Sequence, residues 1–235
     1  MTTFILSSVI GFFLIAVNLK LDQLVPDKYQ SRLVCVNEYI KYFSFGNNNQ
    51  IADFFWIGFL QELDAFNELK ISDTHLCPDN TSSWHFHIIN VAMDLDSKFH
   101  ELALYAPLLI SVTISDSKGA SILFDKAVAN YPDDWKILYR AAFQAQIEEK
   151  NKAKAADLLY RAGQKGAPKW VMSLAGGFYN ESGNRAMAEQ IYSELISEAK
   201  DPETAQRLRK KLDHKLKNSF ESGAPASIDR EKKKK

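Results

Sequence analysis

Apolar and small residues recur through the middle of this chain at helical spacing, and the helical pattern itself repeats. Ala92, Ala127, Ala162 and Leu195 lie 35, 35 and 33 residues apart; Ile89, Phe124, Leu159 and Tyr192 keep the same steps, as do His85, Ala120, Ala155 and Ala188. A period of this length predicts stacked helical hairpins, because a single hairpin cannot bury its apolar face alone. The clearest unit starts near Trp170. Met172, Ala175, Gly176 and Tyr179 share one helix face and Ala188 and Tyr192 the next. Gly183-Asn184 is expected to make the turn, since both residue types tolerate positive φ. Gly176 and Ala188 are expected where the two helices approach most closely.

The preceding unit reads Leu138, Ala141, Ala142 and Ala145, a polar turn at Glu148-Glu149-Lys150-Asn151, then Ala155, Leu159 and Ala162. The one before reads Ala103, Ala106, Pro107 and Ile110, then Ala120, Phe124 and Ala127. Pro132 stops that helix, and Asp133-Asp134 caps a new one. Pro107 falls within a predicted helix, where it removes a backbone hydrogen bond. A degenerate unit lies upstream, with a first helix at Ala52–Leu60 and a second at Trp84–Met93. The roughly Asn67–Ser83 connection exceeds the about 2–8 residues usual between hairpin helices and is expected to be an insertion.

These spacings resemble the tetratricopeptide repeat over residues 99–197, and a wider pattern over about residues 45–213 adds Ala52-Asp53-Phe54-Phe55-Trp56-Ile57, Leu95-Asp96-Ser97-Lys98-Phe99, Tyr131-Pro132-Asp133-Asp134-Trp135 and Gly166-Ala167-Pro168-Lys169-Trp170. The wider pattern is similar to bacterial, membrane-anchored tetratricopeptide-repeat proteins without an assigned activity. The chain departs from the repeat pattern at its first signature position, where no unit has Trp. It departs also at His85, where a small residue is usual, and at Ser97, where proline is common. The resemblance implies an all-α superhelix of hairpins and a role in binding other proteins, and it implies no chemistry. Boundaries follow: 1–20 anchor, 21–48 juxtamembrane helix, 49–98 degenerate repeat, 99–200 repeats, 201–217 capping helix and 218–235 disordered basic tail.

The N-terminus adds a membrane segment. Met1–Leu19 carries no charged side chain, and Phe4, Ile5, Leu6, Ile10, Phe12, Phe13, Leu14 and Ile15 make it strongly apolar. With a snorkelling Lys20 it reaches the about 20 residues a span requires. An uncleaved signal-anchor is the first choice. A cleaved signal peptide and a buried helix are the alternatives, although no basic stretch precedes the segment and no A-x-A site follows it. Lys20, Lys28 and Arg32 favour a cytoplasmic body by the positive-inside rule. The resemblance implies instead a bacterial inner-membrane protein facing outward. Leu33, Val34, Val36, Tyr39, Ile40 and Phe43 then recur at helical spacing, so a juxtamembrane helix is expected before Gly46.

Charge is balanced overall and divided along the chain. The formal net charge of the 235 residues is zero, with 29 basic and 29 acidic side chains. From Arg207 onward there are 11 Lys/Arg and 4 Asp/Glu, so the remainder carries 29−11 = 18 against 29−4 = 25, a net of −7. An acidic body thus bears a basic C-terminus. Pro202 opens its capping helix, with Ala205, Leu208, Leu212 and Leu216 on the apolar stripe. Lys232–Lys235 are expected to form a solvated run, with contact to anionic lipid or nucleic acid as the alternative; no aromatic or Gly-rich nucleic-acid motif accompanies the run, so nucleic acid is not the expected partner.

Candidate chemistry is sparse. Cys35 and Cys77 are candidates for one disulfide if the body is extracytoplasmic. His75, Cys77, His85 and His87 cluster in sequence, but His85 and His87, two apart on a helix, point in different directions, so no metal is expected. No nucleophile–base pair, phosphate loop or zinc-protease motif occurs, and no cofactor, small-molecule substrate or catalytic residue is expected. The first helices of the hairpins offer a protein-binding groove instead. Lys136, Tyr139, Arg140 and Phe143 are expected to face it from one unit, and Trp170, Ser173, Gly177 and Asn180 from the next. Lys136 and Arg140, four apart, share a helix face. The resemblance implies a carboxylate-holding role for that pair, although the asparagines that complete such a clamp are missing. The expected function is a non-enzymatic scaffold or adaptor in a membrane-associated assembly. The alternative is a structural subunit packed permanently into an envelope complex. The exposure of Trp56, Trp84, Trp135 and Trp170 separates the two: buried tryptophans are core, and a patch of them is an obligate interface.

Overall fold

A computed structural model describes residues 38–69 and 83–222. The apolar N-terminal segment, Cys35, Cys77, most of the expected insertion and the chain after residue 222 lie outside the described residues. Among the described residues the fold is all-α, and no helix is long and apolar enough to cross a membrane.

Four helical hairpins follow one another. They are α1 (Asn48–Leu69) with α2 (Trp84–Leu95), α3 (His100–Val112) with α4 (Ser117–Asn130), α5 (Trp135–Ile147) with α6 (Lys152–Gln164), and α7 (Lys169–Glu181) with α8 (Arg185–Ser197). The ninth helix, α9 (Pro202–Ser222), packs on α8. The three residue sets that repeat with the period all lie on second helices, α2, α4, α6 and α8, and all twelve side chains are buried. Periodic burial of alanines at 92, 120, 127, 155, 162 and 188 lets the helix backbones approach closely. The interior forms two apolar clusters. One runs from Ala52 to Ile137, and the other from Phe124 to Leu195 with Leu208 of α9 packed against it.

The turns inside the last three hairpins share one geometry. Ser115, Lys150 and Gly183 take positive φ (63°, 55° and 91°), and each is followed directly by the residue that caps the next helix. Asp116 accepts from the Gly119 N–H, Asn151 from Lys154 and Asn184 from Met187. Asn184 was expected to share the positive φ with Gly183; it has φ −85° because its side chain is occupied as the cap. Between hairpins, Asp134 accepts from the N–H groups of Lys136 and Ile137. Asp116 does more than cap. Its Oδ2 also accepts from the Ser83 N–H (3.0 Å) and hydroxyl (2.7 Å), fastening the start of α2 to the start of α4.

Several expectations shift. The described end of the juxtamembrane segment is a 3-10 turn, Glu38–Tyr42, not an α-helix. Phe45 and Gly46 at positive φ then redirect the chain into α1, which begins at Asn48. α1 extends to Leu69, into the stretch expected as insertion. Pro107, by contrast, lies in the interior of α3 as expected, and is buried. The atoms nearest a side chain at Gly176 belong to Tyr192 and Ile191 of α8, not to Ala188. α9 continues to Ser222, past the expected end at 217, because Asn218–Ser222 contains no helix breaker and Gly223 and Pro225 are the first.

Candidate functional site

Among the described residues, clefts open beside the first helices of the hairpins. The first, about 390 Å³, lies between α3 and α5. Leu108 and Val112 line it from α3, and Tyr139, Phe143 and Ile147 from α5, with the Phe124 ring of α4 behind them. Val112 is 72% exposed and Ile147 52%, so the apolar lining reaches the surface. Gln144 fixes its floor. This buried amide accepts from the Ser111 hydroxyl (2.8 Å) and donates to the Ser117 carbonyl (3.0 Å) and the Ser121 hydroxyl (3.1 Å). A buried amide with its partners supplied holds α3, α4 and α5 in one register.

The second cleft, about 450 Å³, lies between α7 and α9. Leu195, Ala199 and Leu208 supply its apolar part, and Trp170 of α7 forms a wall. The two clefts adjoin where Tyr139 meets Trp170 edge to face, with ring centroids 5.4 Å apart. Tyr139 also packs on Phe143 at 4.8 Å.

The predicted groove residues divide between these clefts. Tyr139, Arg140 and Phe143 line the first; Trp170 and Ser173 line the second. Asn180 is half-buried, and Gly177, expected to face the groove, is buried in α7. Lys136 is exposed and lines neither cleft. Arg140 is engaged within the fold: its Nη1 donates to the Leu104 carbonyl, and its guanidinium lies over the Tyr105 ring, 4.8 Å from the centroid. Lys136 and Arg140 therefore do not form a free pair of cations. A guanidinium drawn to a backbone carbonyl and an aromatic face is a cross-repeat brace.

The tryptophans divide as well. Trp84 is buried; Trp56 and Trp135 are half-buried against the core; Trp170 is 53% exposed. They do not form one patch. Toward the N-terminal end of the described chain, Tyr42, Phe43, Phe45, Phe54 and Ile57 are each exposed as well.

Sequence reasoning missed Leu108, Val112 and Ile147, and the whole contribution of α9. The signal for the first two was present: moving the register of Phe143 and Ile147 back by one period of 35 gives Leu108 and Val112.

Electrostatics point to structural work. Burial acts against the charge on Asp134, yet hydrogen bonds from His100 and from the Lys136 and Ile137 N–H groups outweigh it and hold the carboxyl below its ordinary value. The Thr204 N–H and hydroxyl do the same for Asp201 at the start of α9. Burial pushes the Tyr192 phenol up, and its hydroxyl donates to the Ser173 carbonyl at 3.1 Å. His85 packs edge-on against Trp84 and Phe59 inside the first hairpin. Among the described residues no group of three or more His, Cys, Asp or Glu is arranged to hold a metal. Compared with known proteins, the chain matches no family model, and no curated protein and no solved structure is found similar to it.

Proposed function

We propose that this chain is a tetratricopeptide-like adaptor that binds a segment of another protein along the α3–α5–α7 side of its hairpins. The observation that carries the reading is the α3–α5 cleft, an apolar channel with exposed Val112 and Ile147 at its mouth and a floor fixed by Gln144. An open apolar cleft on a rigid scaffold is the ordinary geometry for seating a peptide's apolar side chains. The engagement of Arg140 favours an apolar anchor over a carboxylate clamp at this position. The uncharged Met1–Leu19 stretch supports tethering of the adaptor to a bilayer.

The test is affinity capture from detergent-solubilised membranes, comparing wild type with Val112→Glu/Ile147→Lys. Both side chains are exposed, so the fold is expected to survive, which helical circular dichroism checks. A partner that the wild type retains and the double variant loses supports the reading; equal retention by both removes it.

The exposed Tyr42, Phe43, Phe45, Phe54 and Ile57 favour a second reading, a structural subunit held through its N-terminal end. In that case Phe45→Ser/Phe54→Ser releases the partner and Val112→Glu/Ile147→Lys does not.

A further inference from the structure

We propose that the α7–α9 cleft seats a large apolar side chain of a partner polypeptide whose neighbouring residues are acidic; this deepens the groove reading above and rests on it. The cleft, about 450 Å³, is large enough for an aromatic side chain. Its interior is apolar, from Leu195, Ala199 and Leu208, and Trp170 offers a half-exposed indole for stacking.

The rim is cationic. Lys169, Lys200, Arg207 and Lys211 stand against the carboxylates of Glu198 and Asp201. Those carboxylates are already engaged, Glu198 with Lys169 and Asp201 with the Thr204 N–H, and Arg207 pairs with Glu203 along its own helix. Lys200 and Lys211 make no ion pair with the described side chains and remain to meet a ligand's charge. The preference is set against the rest of the molecule: residues before Arg207 carry a net charge of −7, 18 Lys/Arg against 25 Asp/Glu. An acidic segment is repelled along most of the body and attracted at α9, which fixes the direction in which it lies. A nucleic acid fits less well, because its successive phosphates must cross the acidic body.

The test pans a random dodecapeptide library on the full chain in detergent micelles. The enriched peptides are then measured by fluorescence anisotropy against wild type, Trp170→Ala, Trp170→Phe, Lys200→Glu/Lys211→Glu and Val112→Glu/Ile147→Lys. The expected peptides combine a large apolar residue with two or more nearby Asp or Glu. They should bind Trp170→Ala and Lys200→Glu/Lys211→Glu about tenfold more weakly or worse, with Trp170→Phe restoring binding. Counterparts carrying Lys in place of the acids should prefer the charge-reversed variant. If binding falls only in Val112→Glu/Ile147→Lys, the α7–α9 assignment is overturned and the groove reading survives. If no peptide is enriched, or neither set of variants matters, both fail. An oligothymidylate that displaces the peptides and binds more tightly than they do replaces this proposal with a nucleic-acid site.

Discussion

Gly58 and Gly176 both lie inside helices, and replacing each by alanine should move stability in opposite directions. Alanine is favoured over glycine in a helix interior by about 1 kcal/mol. At Gly58 of α1 nothing lies within 4 Å of the added methyl, so that gain should appear almost in full. At Gly176 of α7 the methyl would stand 3.0 Å from Cε2 and 3.3 Å from Cζ of Tyr192, and 3.4 Å from Cγ2 of Ile191. Relief requires the Tyr192 ring to move. The ring is 1% exposed, and its hydroxyl is tied to the Ser173 carbonyl, so a shift strains a close-packed site and a hydrogen bond together. Overpacking of this kind costs about 1–3 kcal/mol. After the helix gain is subtracted, Gly176→Ala should lose about 1 kcal/mol, and the two variants should differ by about 2 kcal/mol. For a chain of this size that separates their thermal midpoints by about 4–8 °C. Urea denaturation followed by helical circular dichroism measures both, with an unchanged m-value confirming that native stability has changed. A Gly176→Ala protein as stable as Gly58→Ala would refute the close approach of α7 to α8.

Three further outcomes follow from the geometry. Gln144→Ala leaves the Ser111 hydroxyl without its acceptor, while the Ser121 hydroxyl still donates to the Ser117 carbonyl, and should cost about 1–2 kcal/mol in the same urea assay. Lys150→Gly should stabilise by about 0.5–1 kcal/mol, because Lys150 has φ 55° in a conformation that glycine adopts freely. Asp134 sits below its ordinary value of 3.8 in the folded chain, so its carboxylate contributes full stability above that value and loses it as pH falls through the lower folded value. Asp134→Asn keeps a capping side chain, so its denaturation midpoint should fall less steeply than wild type between about pH 5 and pH 2; parallel curves would assign the acid sensitivity elsewhere.

The helical hairpins were legible because their cause is local and periodic. Ala120, Ala127, Ala155 and Ala162 recur where helices must touch, and Asp134 announces a helix start by its chemistry. The shared turn geometry was only partly legible. Gly183 signals positive φ, whereas Ser115 and Lys150 adopt it under the constraint of the helices on either side and carry no such signal. Tyr139 and Phe143 could be placed on a cleft by register alone. The engagement of Arg140 could not, because Leu104 and Tyr105 belong to another hairpin and meet it only after stacking. The α7–α9 cleft was hidden for the same reason: it depends on how α9 seats on α8, which no spacing within α9 specifies.

The division of the interior into two apolar clusters gives the molecule a seam. Helix α4 supplies Leu123 to one cluster and Phe124 to the other, and α5 supplies Ile137 to the first and Leu138 to the second, so the halves are sewn together through these two helices. Arg140 is a stitch across that seam, reaching from α5 to the Leu104 carbonyl on α3. The α3–α5 cleft opens directly over it. Its lining is therefore drawn from both sides of the seam, Leu108 and Val112 from α3 and Phe143 and Ile147 from α5.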